Sequence, residues 1–318
     1  MTNALFELIE QYDVITIYRH VSPDSDALGS QFGLKQWIQD TYPNKQVYAL
    51  GNNRSSEDDK VYPAMDEVSD DVVKNSLAII LDTANSQRID DQRYKLARYR
   101  LKIDHHIYVE TYADVEVIDE YMGATCEILT TMFMEREVTL SKACAQYLYM
   151  GLITDTLRFT ISATTSNTLR CAAYLVDCGA DVVKANEANF FTSMRQYKFE
   201  NYLRSHCVVK EDCLAYIIVN KEDYEAFGLT FEEAKEKVFV MGGVFEFQIW
   251  ALFVEKEKDA EGNRIYNASL RSQQKPINDI ANAFHGGGHR LACGVKGLTK
   301  ETIEQLLTAL LARIKGIQ

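Results

Sequence analysis

No apolar run in these 318 residues approaches the roughly 20 that a membrane-spanning helix needs, so no membrane partner is expected. The opening stretch Met1-Thr2-Asn3-Ala4-Leu5 lacks the basic and apolar regions of a signal peptide, which points to a cytoplasmic protein. Seven cysteines are present, yet none forms a close C-x-x-C pair, and the odd count argues against a disulfide framework. Cys126, Cys144, Cys171 and Cys178 sit in apolar helical patterns and read as reduced core thiols. There is no internal repeat and no low-complexity tract. Positive charge is also scarce: 34 Lys and Arg stand against 46 Asp and Glu, giving a net charge of −12 and a pI near 5.1. Such a surface repels long polyanions, so long nucleic acid is excluded as a partner. A nucleic-acid substrate has to be short and held in a local basic pocket.

What is present suffices for a full core, since 47% of the residues are hydrophobic. The length suggests two domains. The first half alternates strand-like and helix-like segments, with strands expected at Val47 to Leu50, Leu77 to Leu81, Leu101 to Ile103 and Val115 to Ile118. Helices are expected at Ala27 to Gln39, with Asp26 as cap, and at Gly123 to Arg136, Ser141 to Leu152 and Ser166 to Cys178. This alternation predicts an α/β domain with a mainly parallel, doubly wound sheet. Near Ala188 the texture changes. We expect residues 1–188 as the first domain, 189–206 as a connecting helix, and 207–318 as a smaller α+β domain. In the latter, strands are expected at Ala215 to Val219, Phe245 to Val254 and Ile265 to Arg271, with helices at Thr230 to Val238, Ile277 to Ala283 and Lys300 to Ile314. The apolar stretch Gly123 to Met134 reads first as core and second as the face of a homodimer.

The chemistry lies where apolar strands end in acids. Val14 to Arg19 runs into His20-Val-Ser-Pro-Asp24-Ser-Asp26, Leu77 to Leu81 into Asp82, and Leu101 to Ile103 into Asp104-His105-His106. A further acid, Asp155, follows the apolar Tyr147 to Ile153 and precedes Thr156 in what reads as a loop. Ligands of open α/β sheets bind at the carboxyl ends of the strands. There His20, Asp24, Asp26, Asp82, His105 and Asp155 would offer two imidazoles and four carboxylates, enough for two divalent cations. Mixed nitrogen and oxygen ligands without thiolate point to Mn²⁺ ahead of Zn²⁺, with Mg²⁺ as the oxygen-preferring alternative. Such a pair can activate water and neutralise a phosphoryl group.

His20-Val-Ser-Pro-Asp24-Ser-Asp26-Ala-Leu-Gly-Ser30, Asp82-Thr83-Ala84, Asp104-His105-His106 and Thr154-Asp155-Thr156 resemble the four motifs of the DHH phosphoesterase superfamily. The resemblance implies one ion on His20, Asp24 and Asp82 and another on Asp26, Asp82, His105 and Asp155. It implies that Asp104 orients a ligand and that His106 faces the phosphate being cleaved. Ser269-Leu-Arg271-Ser, followed by His285-Gly286-Gly287-Gly288-His289, resembles the DHHA1 domain of the group that degrades nanoRNA and 3′-phosphoadenosine 5′-phosphate (pAp). Arg271, Gly286, Gly287, Gly288 and His289 would then hold an adjoining phosphate in a cleft between the domains, with Arg158 as a further nucleotide contact. Two glycines usual in relatives are replaced here, by Leu157 and by His285. The implied substrates are pApA, other two-to-five-residue RNAs and pAp, with cyclic di-AMP as a further member. The rival readings are an inorganic pyrophosphatase, against which stands the absence of a Ser-Arg-Lys-Lys-Gln-like run, and a nucleotide-binding regulator without catalysis.

Overall fold

The computed structural model describes residues 3–52 and 61–316, so the first two residues of the opening stretch lie outside it. The chain divides into two compact units, Met1–Phe191 and Thr192–Gln318.

The first unit is built on five strands: β1 (Val14–Tyr18), β2 (Gln46–Ala49), β3 (Leu77–Leu81), β4 (Tyr99–Asp104) and β5 (Val115–Ile118). All pair in parallel, in the order β2-β1-β3-β4-β5. Successive side chains on a strand face opposite ways, and here both faces are covered. Ile15, Ile17, Ile79, Leu81, Leu101 and Ile103 enter one core, while Tyr18, Ala78 and Ile80 enter a second with Val73, Ile89 and Tyr94. Burial on both sides is why β3 reads as an unbroken apolar run. The helices are α1 (Asn3–Gln11), α2 (Ser25–Thr41), α3 (Asp70–Lys74), α4 (Thr125–Glu135), α5 (Lys142–Asp155), α6 (Ser166–Asp177) and α7 (Val182–Phe190).

Several expectations need correction. The cap of α2 is Asp24, whose carboxylate accepts from the backbone N–H groups of Asp26 and Ala27; Asp26 itself is helical. Asp155 is the last residue of α5 rather than a loop residue. The stretch Gly123 to Met134, read first as core, does bury Cys126, Ile128, Leu129, Met132 and Phe133 in the core of its own unit. Helices α2 and α5 approach closely: a Cβ on Gly151 would meet the Ser25 carbonyl oxygen at 2.9 Å and the Asp26 Cα at 3.0 Å. That contact brings the start of α2 against α5, the two helices that carry Asp26 and Asp155.

The second unit opens with α8 (Met194–His206), capped by the Ser193 hydroxyl. The connecting helix expected over residues 189–206 begins only at Met194, after α7 has ended at Phe190, and α8 buries Phe199 and Leu203 in a core of the second unit. Then follow β6 (Val208–Lys210), β7 (Leu214–Val219), α9 (Lys221–Glu225), α10 (Phe231–Lys235), β8 (Ile249–Lys258), β9 (Arg264–Ser272), α11 (Asn278–Ala283), β10 (Gly287–His289), β11 (Ala292–Leu298) and α12 (Lys300–Lys315). The strand order is β10-β11-β9-β8-β7-β6, mixed, with only β7 and β8 parallel among the described pairs. The helix expected over Thr230 to Val238 tightens after Lys235 into a 3₁₀ turn, and β8 begins at Ile249, leaving Phe245 exposed. Among the described residues no helix is long and apolar enough to cross a membrane.

Candidate metal and phosphate site

The carboxyl ends of β1, β3 and β4 and the facing ends of α2 and α5 gather six of the predicted side chains. His20 Nε2 lies 3.7 Å from Asp24 Oδ2 and 3.4 Å from Asp82 Oδ2. His105 Nε2 lies 3.5 Å from Asp82 Oδ1, 3.3 Å from Asp155 Oδ2 and 3.9 Å from Asp26 Oδ2. The carboxylate of Asp82 thus faces both rings, one oxygen to each. His20, Asp24 and Asp82 form one cluster able to hold an ion, and Asp26, His105 and Asp155 form another.

The orientation of the two imidazoles is the most telling detail. Nδ1 of His20 sits 2.8 Å from the Val21 carbonyl oxygen, and Nδ1 of His105 sits 3.3 Å from that of Met122. A carbonyl can only accept, so Nδ1 carries the proton in both rings and Nε2 is left to face the carboxylates. His105 Nε2 is buried without a hydrogen-bond partner. A ring held this way, its free nitrogen among acids, is arranged as metal-binding histidines are. The donor set therefore fits divalent cations.

Electrostatics agree. Burial opposes charge on His20, but its bonds to Asp24 and Asp82 overcome it and raise the ring to about 10. Burial likewise opposes charge on His105, and Asp155 and Asp82 push it up to about 12. Burial raises Asp155 to about 6 and, with the charges of Asp82 and Asp155, holds Asp26 well above the usual carboxylate range. Asp82 is buried too, but its contacts with His105 and His20 hold its carboxyl below that range. Crowded carboxylates thus keep protons and protonated rings as counter-charges, which dications would replace.

Around this set the backbone is specialised. Asp26 is fully buried and accepts from Thr125 N–H at 2.7 Å and Cys126 N–H at 2.9 Å, so it binds the start of α4. The Thr125 hydroxyl donates to Asp82 at 3.2 Å. Asp104 Oδ1 accepts from His106 Nδ1 at 2.8 Å. The His106 ring lies 4.6 Å from that of His105, and its Nδ1 is 3.5 Å from Asp82 Oδ1. Thr125, Cys126 and the buried Lys102 were missed from the sequence. Only Lys102 left a signal there, as a cation inside a strand whose neighbours Leu101 and Ile103 are core.

Arg158, exposed just beyond α5, lies 4.4 Å from the Phe190 ring in the same unit, and among the described residues no contact brings it into the cluster. The remaining predicted residues belong to the second unit. Register pairs Arg271 with Ala292 and Ala292 with His289, so all three share one face of β9-β11-β10. The small Ala292 separates the Arg271 and His289 side chains, whose strands stand roughly 10 Å apart. Among the described residues half-buried Arg271 makes no ion pair; its guanidinium donates to the Leu270 carbonyl. The glycine triplet differs from the free anion-binding loop its composition suggests: Gly287 and Gly288 form an edge strand paired with β11. A Cβ on Gly288, at φ +136°, would meet the Ala292 carbonyl oxygen at 2.5 Å.

Comparison with known proteins follows these outlines. The DHH family, N-terminal domain, matches residues 14–152 and the DHHA1 domain matches residues 226–316. The chain is 36% identical, over 95% of its length and 96% of the other, to a Streptococcus mutans protein named probable bifunctional oligoribonuclease and PAP phosphatase NrnA. It is 31% identical, over 98% of its length and 97% of the other, to the Bacillus subtilis bifunctional oligoribonuclease and PAP phosphatase NrnA. Among solved structures, an exopolyphosphatase-related protein from Bacteroides fragilis superimposes with a TM-score of 0.85 at 24% identity, covering 98% of this chain and 96% of that one, a likeness of fold.

Proposed function

This chain belongs to the DHH family, and from that premise we propose that it hydrolyses phosphoester bonds in short nucleotides with the help of two divalent cations, Mn²⁺ foremost. The observation that carries the reading is the pair of histidines whose Nδ1 atoms are engaged by backbone carbonyls and whose Nε2 atoms face Asp24, Asp26, Asp82 and Asp155. His20, Asp24 and Asp82 would hold one cation; Asp26, Asp82, His105 and Asp155 the other. Bound cations supply an activated water near neutral pH and offset phosphate charge. The protein's own groups do the rest. Asp104 accepts from His106 Nδ1 and sets the tilt of the ring, which leaves Nε2 to meet a phosphate oxygen and, where that nitrogen carries a proton, to donate to it as charge builds. Thr125 and the start of α4 hold Asp82 and Asp26 in place.

The substrates we propose are pApA and other two-to-five-residue RNAs, and pAp. Arg271 and His289, on one face of the second unit's sheet, suit an adjoining phosphate, and the net charge of −12 disfavours long polyanions. All seven cysteines are free, in keeping with a cytoplasmic setting. The decisive assay offers pApA, pAp, cyclic di-AMP, short RNA ladders and pyrophosphate to the purified chain with Mn²⁺, Mg²⁺ or chelator. Nucleotide hydrolysis lost with chelator is expected, and lost again in Asp104→Ala and His106→Ala. Turnover of pyrophosphate alone, or binding of pApA without product, would replace this reading.

A further inference from the structure

The residue that faces both histidines is also a strained one. Asp82 has φ +53°, a left-handed backbone that residues other than glycine adopt only occasionally. Such a conformation persists only where its surroundings over-determine it. The turn Asp82-Thr83-Ala84 is gripped at every residue. Asp82 N–H donates to Ile103 and the Thr83 hydroxyl donates to Leu81. The Tyr112 hydroxyl donates to the Thr83 carbonyl at 2.5 Å, and Lys102 Nζ donates to the Ala84 carbonyl at 3.2 Å.

Lys102 and Tyr112 form one body. The Lys102 ammonium is 4.6 Å from the Tyr112 ring centroid, and both Tyr112 N–H and Ala113 N–H donate to Glu116. Lys102 is fully buried, with Nζ 3.3 Å from Asp104 Oδ2, on the oxygen opposite the one that His106 uses. A buried ion pair is a poor means of stabilising a fold, because desolvation offsets most of its Coulomb gain. It is a good means of fixing direction.

We propose that Lys102 and Tyr112 are positioning residues for the phosphoester chemistry: a buried pedestal that locks the 82–84 turn, and with it the Asp82 carboxylate, while Lys102 anchors Asp104 behind His106. The proposal deepens the hydrolase reading and rests on it for its kinetic arm only. Tyr112→Phe removes one oxygen; Lys102→Met removes the charge at similar volume. Mn²⁺ affinity by calorimetry, kcat and KM on pApA, and melting temperature are measured on the full chain. Expected for Tyr112→Phe is a loss in Mn²⁺ affinity of about 10-fold, and for Lys102→Met a fall in kcat and affinity of about 10–100-fold with KM within threefold, as for other groups that orient metal ligands. Because both grip one turn, the double variant should lose less than the product of the two. Affinity and kcat within twofold of wild type, whatever happens to the melting temperature, would overturn the pedestal. Should Lys102→Met not fold, Tyr112→Phe decides alone. Should the wild-type chain cleave none of the substrates, the hydrolase reading falls, and the Mn²⁺ affinities still judge the pedestal.

Discussion

The two units meet charge in opposite ways. In the first, four carboxylates and two imidazoles converge, mostly buried, and five of the six are held by a group outside the set: Asp26 by the start of α4, Asp24 by α2, Asp82 by Thr125, both rings by carbonyls. In the second, Arg271 and His289 share a sheet face with a small residue between them and little support. An acid-rich, braced crevice needs cations and suits chemistry. An open strand surface that carries Arg271 and His289 offers donors to an anion and suits selection. Damage to the first should appear in kcat and metal affinity, and damage to the second in KM.

The comparison breaks most readily at Asp82. Asp82→Asn keeps the shape but removes the charge facing both rings, and turnover of pApA should fall by about 1,000-fold or more, with Mn²⁺ affinity falling alongside in calorimetry. Loss confined to KM would erase the distinction between the two units.

Acidity sharpens it. In the metal-free chain His20 keeps its second proton to about 10 and His105 to about 12, while Asp155 is ionised above about 6. A cation must displace one proton from each ring, so Mn²⁺ affinity should rise with pH between about 6 and 10, by about 100-fold per unit if two protons leave. The sign for stability is opposite. A raised imidazole pKa stabilises the metal-free fold fully below the ordinary 6.5, and that contribution is lost as pH rises through about 10 and then 12. Calorimetry in two buffers of different ionisation enthalpy counts the protons; none released would contradict the assigned charge states. In the second unit, Arg271→Ala should raise KM for pApA by about 10–100-fold with kcat nearly kept, the worth of charge-assisted bonds to phosphate. A fall in kcat alone would move Arg271 to the chemical half of the comparison.

The sequence disclosed the first site because its signals are local. A buried strand ending in acid or histidine is legible residue by residue, and β3 and β5 lie where the apolar runs put them. What it hid depends on three-dimensional neighbours. Asp26 looks like a cap but serves a helix that begins 99 residues later. Asp24, which looks like a plain ligand candidate, is the cap. The strands β10 and β11 escaped because Gly287-Gly288 and Gly294 to Gly297 carry turn composition, yet the sheet recruits them. Lys102 and Tyr112 matter through a strained turn that only dihedral angles reveal.

Two left-handed residues, Leu157 and His285, give the smallest effect and a clean reading. Leu157 stands at φ +45° and His285 at φ +58°, both exposed, in a left-handed conformation that glycine adopts most readily. Leu157 is followed by Arg158 at +60° and Phe159 at +67°, so the chain leaves α5 and Asp155 through three left-handed residues. A side chain at such an angle costs roughly 1–2 kcal/mol, and glycine returns part of that as unfolded-state entropy. Leu157→Gly and His285→Gly should each therefore stabilise by about 0.5–1 kcal/mol in denaturant titration, against the usual direction of a change to glycine. If the Leu157 strain also holds Asp155 toward His105, its relief will lower Mn²⁺ affinity while stability rises. His285→Gly, in the turn between α11 and β10 of the second unit, should show the gain in stability alone, and equal metal affinities in both variants would reduce the 157–159 turn to a structural feature.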